Sequence, residues 1–266
     1  IVVVEAALTG KKFQLPKAIP GVFKHIGFVT EHRVWIKENL INLAVKQLPA
    51  TWYYMAWVDA DITFMNKEWA TDTMKTLEHK DVVQVFQTAI HMGPDDEALK
   101  IEKGFGYMHQ VSDQPYHKDA KYGFWHPGFG WAITRTAYEQ MGGLIEFAIM
   151  GSADRHTALA LIGKVDYSHP GNISDDYAER LKELQTKCEG LTLGYVKGTV
   201  MHHWHGRIED RKYQERWRIL TKGDYKPSSD ITYNKNGVLQ LSAEGERLHP
   251  ELTNYFEGRK EDSTTL

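Results

Sequence analysis

The 266-residue sequence predicts an α/β fold: a mostly parallel central sheet flanked by helices, with a helical C-terminal appendage. Three observations predict it. Strand and helix signals alternate as β-α-β-α-β through the first third, the order that builds parallel sheets. The first of these signals, Ile1-Val2-Val3-Val4, is an unbroken β-branched run of the kind found in strands covered on both faces. Hydrophobic residues make up 42% and charged residues 25%, enough apolar material for a sizeable core, which excludes disorder as the main state.

The elements follow in order. Residues 1–4 are expected as the first core strand of a processed chain rather than a signal peptide. A polar, proline-containing stretch (10–21) leads to a short strand over 25–29. Ile36, Leu40, Leu43, Ala44 and Leu48 recur at helical spacing across 35–48, and Pro49 closes that helix. Residues 53–58 form a strand that runs straight into Asp59-Ala60-Asp61. A helix over 68–79 and a strand over 82–86 complete the alternation. Residues 93–123 are polar and aromatic with no clear period, and read as a long loop, either a lid or an irregular excursion. A strand over 124–134 is approached through His126-Pro127-Gly128. A helix over 136–141 is stopped by Gly142-Gly143, and a second helix covers 153–162. Ser174 is an N-cap for a helix whose stripe is Tyr177, Leu181, Leu184 and Cys188. A late strand over 195–201 ends in His202-His203-Trp204-His205-Gly206. A basic helix (210–220), an Asn236-Gly237 turn and a polar C-terminal helix finish the chain. The break falls at 227–230, giving a main domain over 1–226 and an appendage over 227–266 packed on it.

Composition narrows the function classes. A net charge of −3 argues against a strongly basic nucleic-acid binder, although a local basic patch stays open. Cys188 is the sole cysteine, so a disulfide framework and a cysteine zinc site are both excluded, and a reducing, cytoplasmic setting is expected. No stretch reaches the ~18 apolar residues of a membrane span, and no membrane partner is expected.

Five constellations carry chemistry. Asp59 and Asp61 sit at the end of a hydrophobic strand, where open α/β sheets bind ligands. Two carboxylates one residue apart repel unless a cation or donors compensate, and a divalent ion carrying phosphate oxygens would do so. The alternative is a solvated turn. His202, His203 and His205 end a strand, with His203 and His205 on one face of it. Imidazoles with carboxylates suit Mn or Zn, whereas oxygen-only sites suit Mg or Ca. Asp154, within Gly151-Ser152-Ala153-Asp154-Arg155-His156, opens a helix and is a general base or an N-cap. Lys37, Glu38 and Asn39 open the helix over 35–48 and either face phosphates or lie solvated. Seven cations between Arg207 and Lys226 alternate with Tyr213, Trp217 and Tyr225, and read as a solvated helix face or a phosphate-contacting surface.

Taken in order, these pieces resemble the GT-A glycosyltransferases, a Rossmann-like α/β family. Lys37-Glu38-Asn39-Leu40-Ile41-Asn42 followed by Val58-Asp59-Ala60-Asp61 is similar to the helix and D-x-D region of the family 2-like enzymes and the polypeptide N-acetylgalactosaminyltransferases. Gly128-Phe129-Gly130-Trp131-Ala132-Ile133-Thr134-Arg135, then Tyr138 and Gly142-Gly143, resembles their acceptor-side strand and helix. His203-Trp204-His205-Gly206 resembles the late histidine of the metal site. The similarity spans 1–206. It departs where Ser152-Ala153-Asp154 replaces the usual acidic pair and where Glu5-Ala6-Ala7 replaces a proline-containing loop.

The resemblance implies transfer of a sugar from a nucleoside-diphosphate sugar, a UDP-sugar first, to an acceptor hydroxyl on a glycan, a protein or a hydroxymethylated pyrimidine in DNA. It implies Mn2+, or Mg2+, held by Asp61 and His203, with His205 the competing ligand. Asp59 reaches the metal through water or binds the ribose. Glu5, Lys37, Asn39, Asp59 and Trp131 are the expected nucleotide-sugar contacts. For an inverting reaction Asp154 is the base and His156 its understudy. Two other classes remain: a divalent-metal nucleotidyltransferase or hydrolase using the same Asp and His residues, and a non-catalytic carbohydrate- or nucleic-acid-binding module.

Overall fold

The computed structural model describes residues 1–118, 124–207, 209–213 and 215–259. The chain begins with β1 (Val2–Leu8), β2 (Lys24–Thr30), α1 (Lys37–Val45), β3 (Tyr54–Val58), β4 (Ile62–Phe64), α2 (Trp69–Leu77) and β5 (Val82–Gln84). The middle holds β6 (Thr88–Met92), β7 (Ala98–Gly104), α3 (Phe105–Val111), β8 (Trp125–His126), β9 (Gly130–Thr134), α4 (Arg135–Met141), α5 (Ala153–Leu161) and α6 (Asp175–Cys188). The last part holds β10 (Leu193–Tyr195), β11 (Thr199–His202), α7 (Glu215–Lys222), α8 (Pro227–Asp230), β12 (Ile231–Tyr233), β13 (Leu239–Leu241) and α9 (His249–Glu257).

The α/β architecture is present, and its sheets mix strand directions. β1 and β2 pair in parallel. The sheet β10-β5-β9-β3 has β9 antiparallel to both neighbours and β10 parallel to β5. A second sheet runs β4-β11-β6-β7-β8, with β11 parallel to β6 and β8 parallel to β7. Both sheets end near the same place. The turn 59–61 follows β3, and β11 stops at His202, whose register partner across the strand pair is His91 on β6.

The segment expected as a loop over 93–123 carries regular structure over 98–111. β7 pairs antiparallel with β6, and α3 follows it directly. Its last residues, 119–123, lie outside the described residues. The strand escaped the sequence because most of it is exposed, leaving only Glu102 and Gly104 buried, so no apolar alternation marks it. Gly104 is required there, since a Cβ would meet Gln84 Oε1 at 2.7 Å.

Helix ends follow their sequence signals. Ser174 Oγ accepts from Tyr177 N at 3.3 Å at the start of α6, and Gly142 closes α4 at φ +75. Tyr177, Leu181, Leu184 and Cys188 are buried along α6, so Cys188 is a core residue, its thiol pushed up to about 12 by burial. One apolar core joins Leu43, Ile133, Leu159 and Leu181 to Val238, Leu239 and Leu252 from the last forty residues. Each fully buried leucine stabilises by about 2 kcal/mol. No helix among the described residues is long and apolar enough to cross a membrane.

Candidate metal centre and cleft

The turn after β3 is pinned from two sides. Asp59 N donates to Phe129 O at 2.8 Å, and His203 N donates to Asp61 O at 2.8 Å. These bonds aim the two carboxylates in different directions. Asp59 Oδ1 accepts from Lys37 Nζ at 3.0 Å. Asp61 Oδ2 lies 3.1 Å from His205 Nε2 and 3.4 Å from His202 Nε2. The two imidazole nitrogens are themselves 3.0 Å apart.

Three donor atoms therefore converge: two neutral-capable imidazoles and one carboxylate. Metal bonds of about 2.1 Å at roughly right angles put neighbouring donors about 3 Å apart, so the residues fit a divalent cation. Asp61 Oδ1 is buried and has no hydrogen-bond partner, as expected of a group whose complement is a ligand. Burial works against ionisation of Asp61, yet hydrogen bonds from His202 and His205 hold it well below the usual carboxylate range. Burial lowers His202, with Asp61 pulling the other way.

The structure places His202, and not His203, beside Asp61. Val200 and His202 are the buried positions of β11, so His202 points inward by strand alternation. His203 belongs to the opposite face, where its Nε2 meets Thr63 Oγ1 at 2.8 Å. The strand ends at His202, and the turn that follows returns His205 to its side. Asp59 does not join the cluster and is paired with Lys37 instead.

Beside this cluster lies a narrow cleft lined by Lys37, Glu38, Trp57, Asp59, Trp131 and Asp154, among others. Phe129 divides the two. Its ring stacks on His126 at 4.2 Å and lies 4.6 Å from His202, and its backbone is held at φ +78, a conformation costly for a residue with a side chain. Lys37 stands between two acids, 3.0 Å from Asp59 and 3.9 Å from Glu38. Burial opposes its charge, but Asp59 and Glu38 outweigh that and hold the ammonium above the usual lysine range. Glu38, bonded by Trp35 Nε1 at 3.0 Å, is pushed up to about 7 by burial. Burial likewise raises Asp59 against the pull of Lys37.

Asp154 sits in the first turn of α5 and lines the cleft, where a Cβ on Gly128 would come within 3.2 Å of its Oδ2. Trp131 is buried, its indole N–H donating to Pro127 O at 2.8 Å, and it lines the cleft with Trp57.

Three expected site residues do other work. His156 is wholly buried between Ser168 Oγ (2.6 Å) and Tyr177 OH (3.0 Å), and burial holds it far below the usual histidine range, so it is a neutral core residue rather than a catalytic one. Asn39 turns away from the cleft to bond Gly237 O and Leu239 N. Glu5 accepts from Gln14 N and from His25 Nε2, fixing the loop after β1.

A second cluster was not anticipated. Glu102 Oε2 accepts from His91 Nε2 at 2.7 Å, with His126 Nε2 at 3.8 Å, and the bonds from His91 and Lys100 outweigh burial to hold its carboxyl at about 2. His126 Nδ1 accepts from Gly128 N at 3.1 Å, so its neutral ring carries the proton on Nε2 and offers no lone pair toward Glu102. This cluster is a hydrogen-bonded support beneath Phe129. The polar, mostly exposed strand β7 that supplies Glu102 hid it from the sequence.

No protein-family model and no curated protein matches the chain. Among solved structures, it is similar to the catalytic domain of Drosophila beta1,4-galactosyltransferase 7 in complex with xylobiose. That match has a TM-score of 0.36 and 13% sequence identity, over 87% of this chain and 86% of the other.

Proposed function

We propose that the chain is a metal-dependent glycosyltransferase that moves a sugar from a nucleoside-diphosphate sugar to an acceptor hydroxyl. One observation carries the reading: Asp61, His202 and His205 converge on one point beside a cleft that holds both carboxylates and indoles. Two imidazoles in the set favour Mn2+ over Mg2+. Such an ion, bound there, supplies charge that stabilises a departing diphosphate.

The remaining roles belong to the chain itself. Lys37 offers a permanent positive charge on the cleft wall, restrained by Asp59 and Glu38, and orients phosphate or sugar oxygens. Trp57 gives apolar surface for the C–H face of a sugar, with the buried Trp131 ring behind it, while the carboxylates accept from its hydroxyls. Asp154 takes the proton of the acceptor hydroxyl in an inverting reaction, since it is the cleft carboxylate that makes no direct ion pair with Lys37. Phe129, backed by the His91–Glu102–His126 network, keeps water from passing between the metal centre and the cleft. A UDP-sugar is the donor to try first, and the acceptor is a hydroxyl on a glycan, a protein or a modified DNA base.

The test is diphosphate release from UDP-, GDP- and dTDP-sugars with and without Mn2+. Turnover should require the metal and fall at least a hundredfold in Asp61→Ala and His202→Ala, by analogy with loss of a charge-stabilising group. Undiminished turnover in EDTA would overturn the reading, and release of monophosphate would favour a hydrolase using the same residues.

A further inference from the structure

In the run Gly128-Phe129-Gly130, the left-handed backbone falls on the phenylalanine and on neither glycine, with Phe129 at φ +78. Gly130 N donates to Gly128 O at 3.1 Å across it. A bond from residue i+2 back to residue i around such a φ marks the rarer, strained form of γ-turn. A glycine at 129 would adopt it freely. The chain instead spends its glycines on either side, where the need is space. A Cβ at 128 would meet His126 Cε1 at 2.9 Å, and one at 130 would meet Val85 Cγ2 at 2.7 Å.

One buried amide holds the turn. Gln84, the last residue of β5, is 0% exposed. Its Nε2 donates to His126 O at 2.8 Å and to Gly128 O at 3.2 Å, and its Oε1 accepts from Gly106 N at 3.0 Å. Gly130 O accepts from Val85 N at 3.2 Å. A costly conformation persists where its surroundings over-determine it, and such places cluster at functional sites. With both glycines anchored, the left-handed turn is what aims the ring between them.

The aim takes Phe129 to both halves of the site. Its carbonyl accepts from Asp59 N at 2.8 Å and so pins the turn 59–61. Its ring lies 4.6 Å from the His202 ring, while His91 and His205 stand 5.1 and 4.9 Å from that same imidazole. The His126 ring stacks on Phe129 at 4.2 Å and 11°.

We propose that Phe129 is a positioning residue for the metal centre, clamped in its strained turn by Gln84. Its flat ring fixes the plane of His202, and its carbonyl fixes the turn that carries Asp61. This rests on the reading of Asp61, His202 and His205 as metal ligands, and adds that a residue touching no cation sets their affinity for one. Groups behind the ligands of a metal site orient them, and their loss typically costs about 10- to 100-fold in affinity. The competing account is core filling, since Phe129 also packs with Phe86, Ala89 and Val200.

The experiment is calorimetric titration of the full chain with Mn2+, well below its melting temperature. Phe129→Leu keeps an apolar side chain but loses the flat ring, and should weaken binding about tenfold. Phe129→Tyr keeps the ring and should bind within about twofold of the wild type. Gln84→Met keeps the length of the side chain without its amide, and should also weaken binding about tenfold. Leu181→Ala, in the core of α6, should lower the melting temperature and leave Mn2+ affinity unchanged. Without metal, the Asp59 amide should exchange its hydrogen roughly tenfold faster in Q84M than in the wild type, measured against the Ala132 amide of β9. Wild-type affinity in F129L overturns the proposal, as does a loss in F129Y equal to that in F129L. So does a loss of affinity in L181A that matches F129L, which would reduce the effect to stability. Unchanged Mn2+ affinity and unchanged Asp59 exchange in Q84M remove Gln84 as the clamp. Should Q84M not fold, F129L and F129Y decide. A wild type that does not bind Mn2+ refutes the metal reading itself, whereas a binding wild type with an unaltered F129L refutes the positioning role alone.

Discussion

His202 Nε2 and His205 Nε2 stand 3.0 Å apart, both turned toward Asp61 Oδ2. At that spacing the two rings can share one proton but cannot both carry one facing the other. A cation bound there, as proposed above, would take the place of that shared proton.

Metal binding itself separates the histidines. Mn2+ at about a hundred times its dissociation constant should stabilise the wild type by about 2.7 kcal/mol, read as a rise in melting temperature. His202→Ala should abolish that rise. His203→Ala, which removes the contact with Thr63, should retain it. A reversed pattern would return the ligand role to His203.

Asp154→Asn tests the proposed base. Turnover should drop about 10²- to 10⁴-fold, the usual range for general base catalysis, while donor affinity measured by titration stays unchanged. Loss of donor binding instead would make Asp154 a donor contact.

Glu38 gives the protein a pH-dependent stability with a definite sign. Its carboxyl is raised from 4.5 to about 7 by burial, so the folded state keeps a proton that the unfolded chain has released. That contribution is fully present below the unfolded value and is lost as pH rises through the folded one. Between about pH 5 and pH 8, Glu38→Gln should gain about 2 kcal/mol relative to the wild type. Urea unfolding at both pH values measures the difference, and parallel stabilities would refute it.

His156→Ala should behave as a core mutation. It leaves a cavity and strips partners from the Ser168 and Tyr177 hydroxyls, at a cost of about 3 kcal/mol. Activity per folded molecule should survive, which a catalytic role for His156 would not allow.

Much of this was legible in the sequence, and the failures have physical causes. The strand into Asp59 and Asp61, the Ser174 cap and the buried stripe of α6 were readable because hydrophobic period and cap chemistry are local. The choice between His202 and His203 was not, because it depends on where β11 stops, and a one-residue change reverses every side chain. β7 and α3 were hidden by exposure, since a solvated strand has no apolar face to announce it. Asn39 and His156 looked functional because polar residues near a cleft and polar residues satisfied in a core are alike until their partners are known. The pairing of Asn39 with Gly237 and Leu239, about two hundred positions away, has no local signal at all.

That pairing has a consequence for handling the protein. The same short helix that carries Lys37 and Glu38 on its cleft side is stitched by Asn39 to the hairpin of β12 and β13. A protease nick at the 234–237 bend would loosen the wall of the pocket from behind. The final stretch of chain thus serves as a brace for residues near its beginning, and trimming it to obtain a minimal fragment would remove the brace along with the tail.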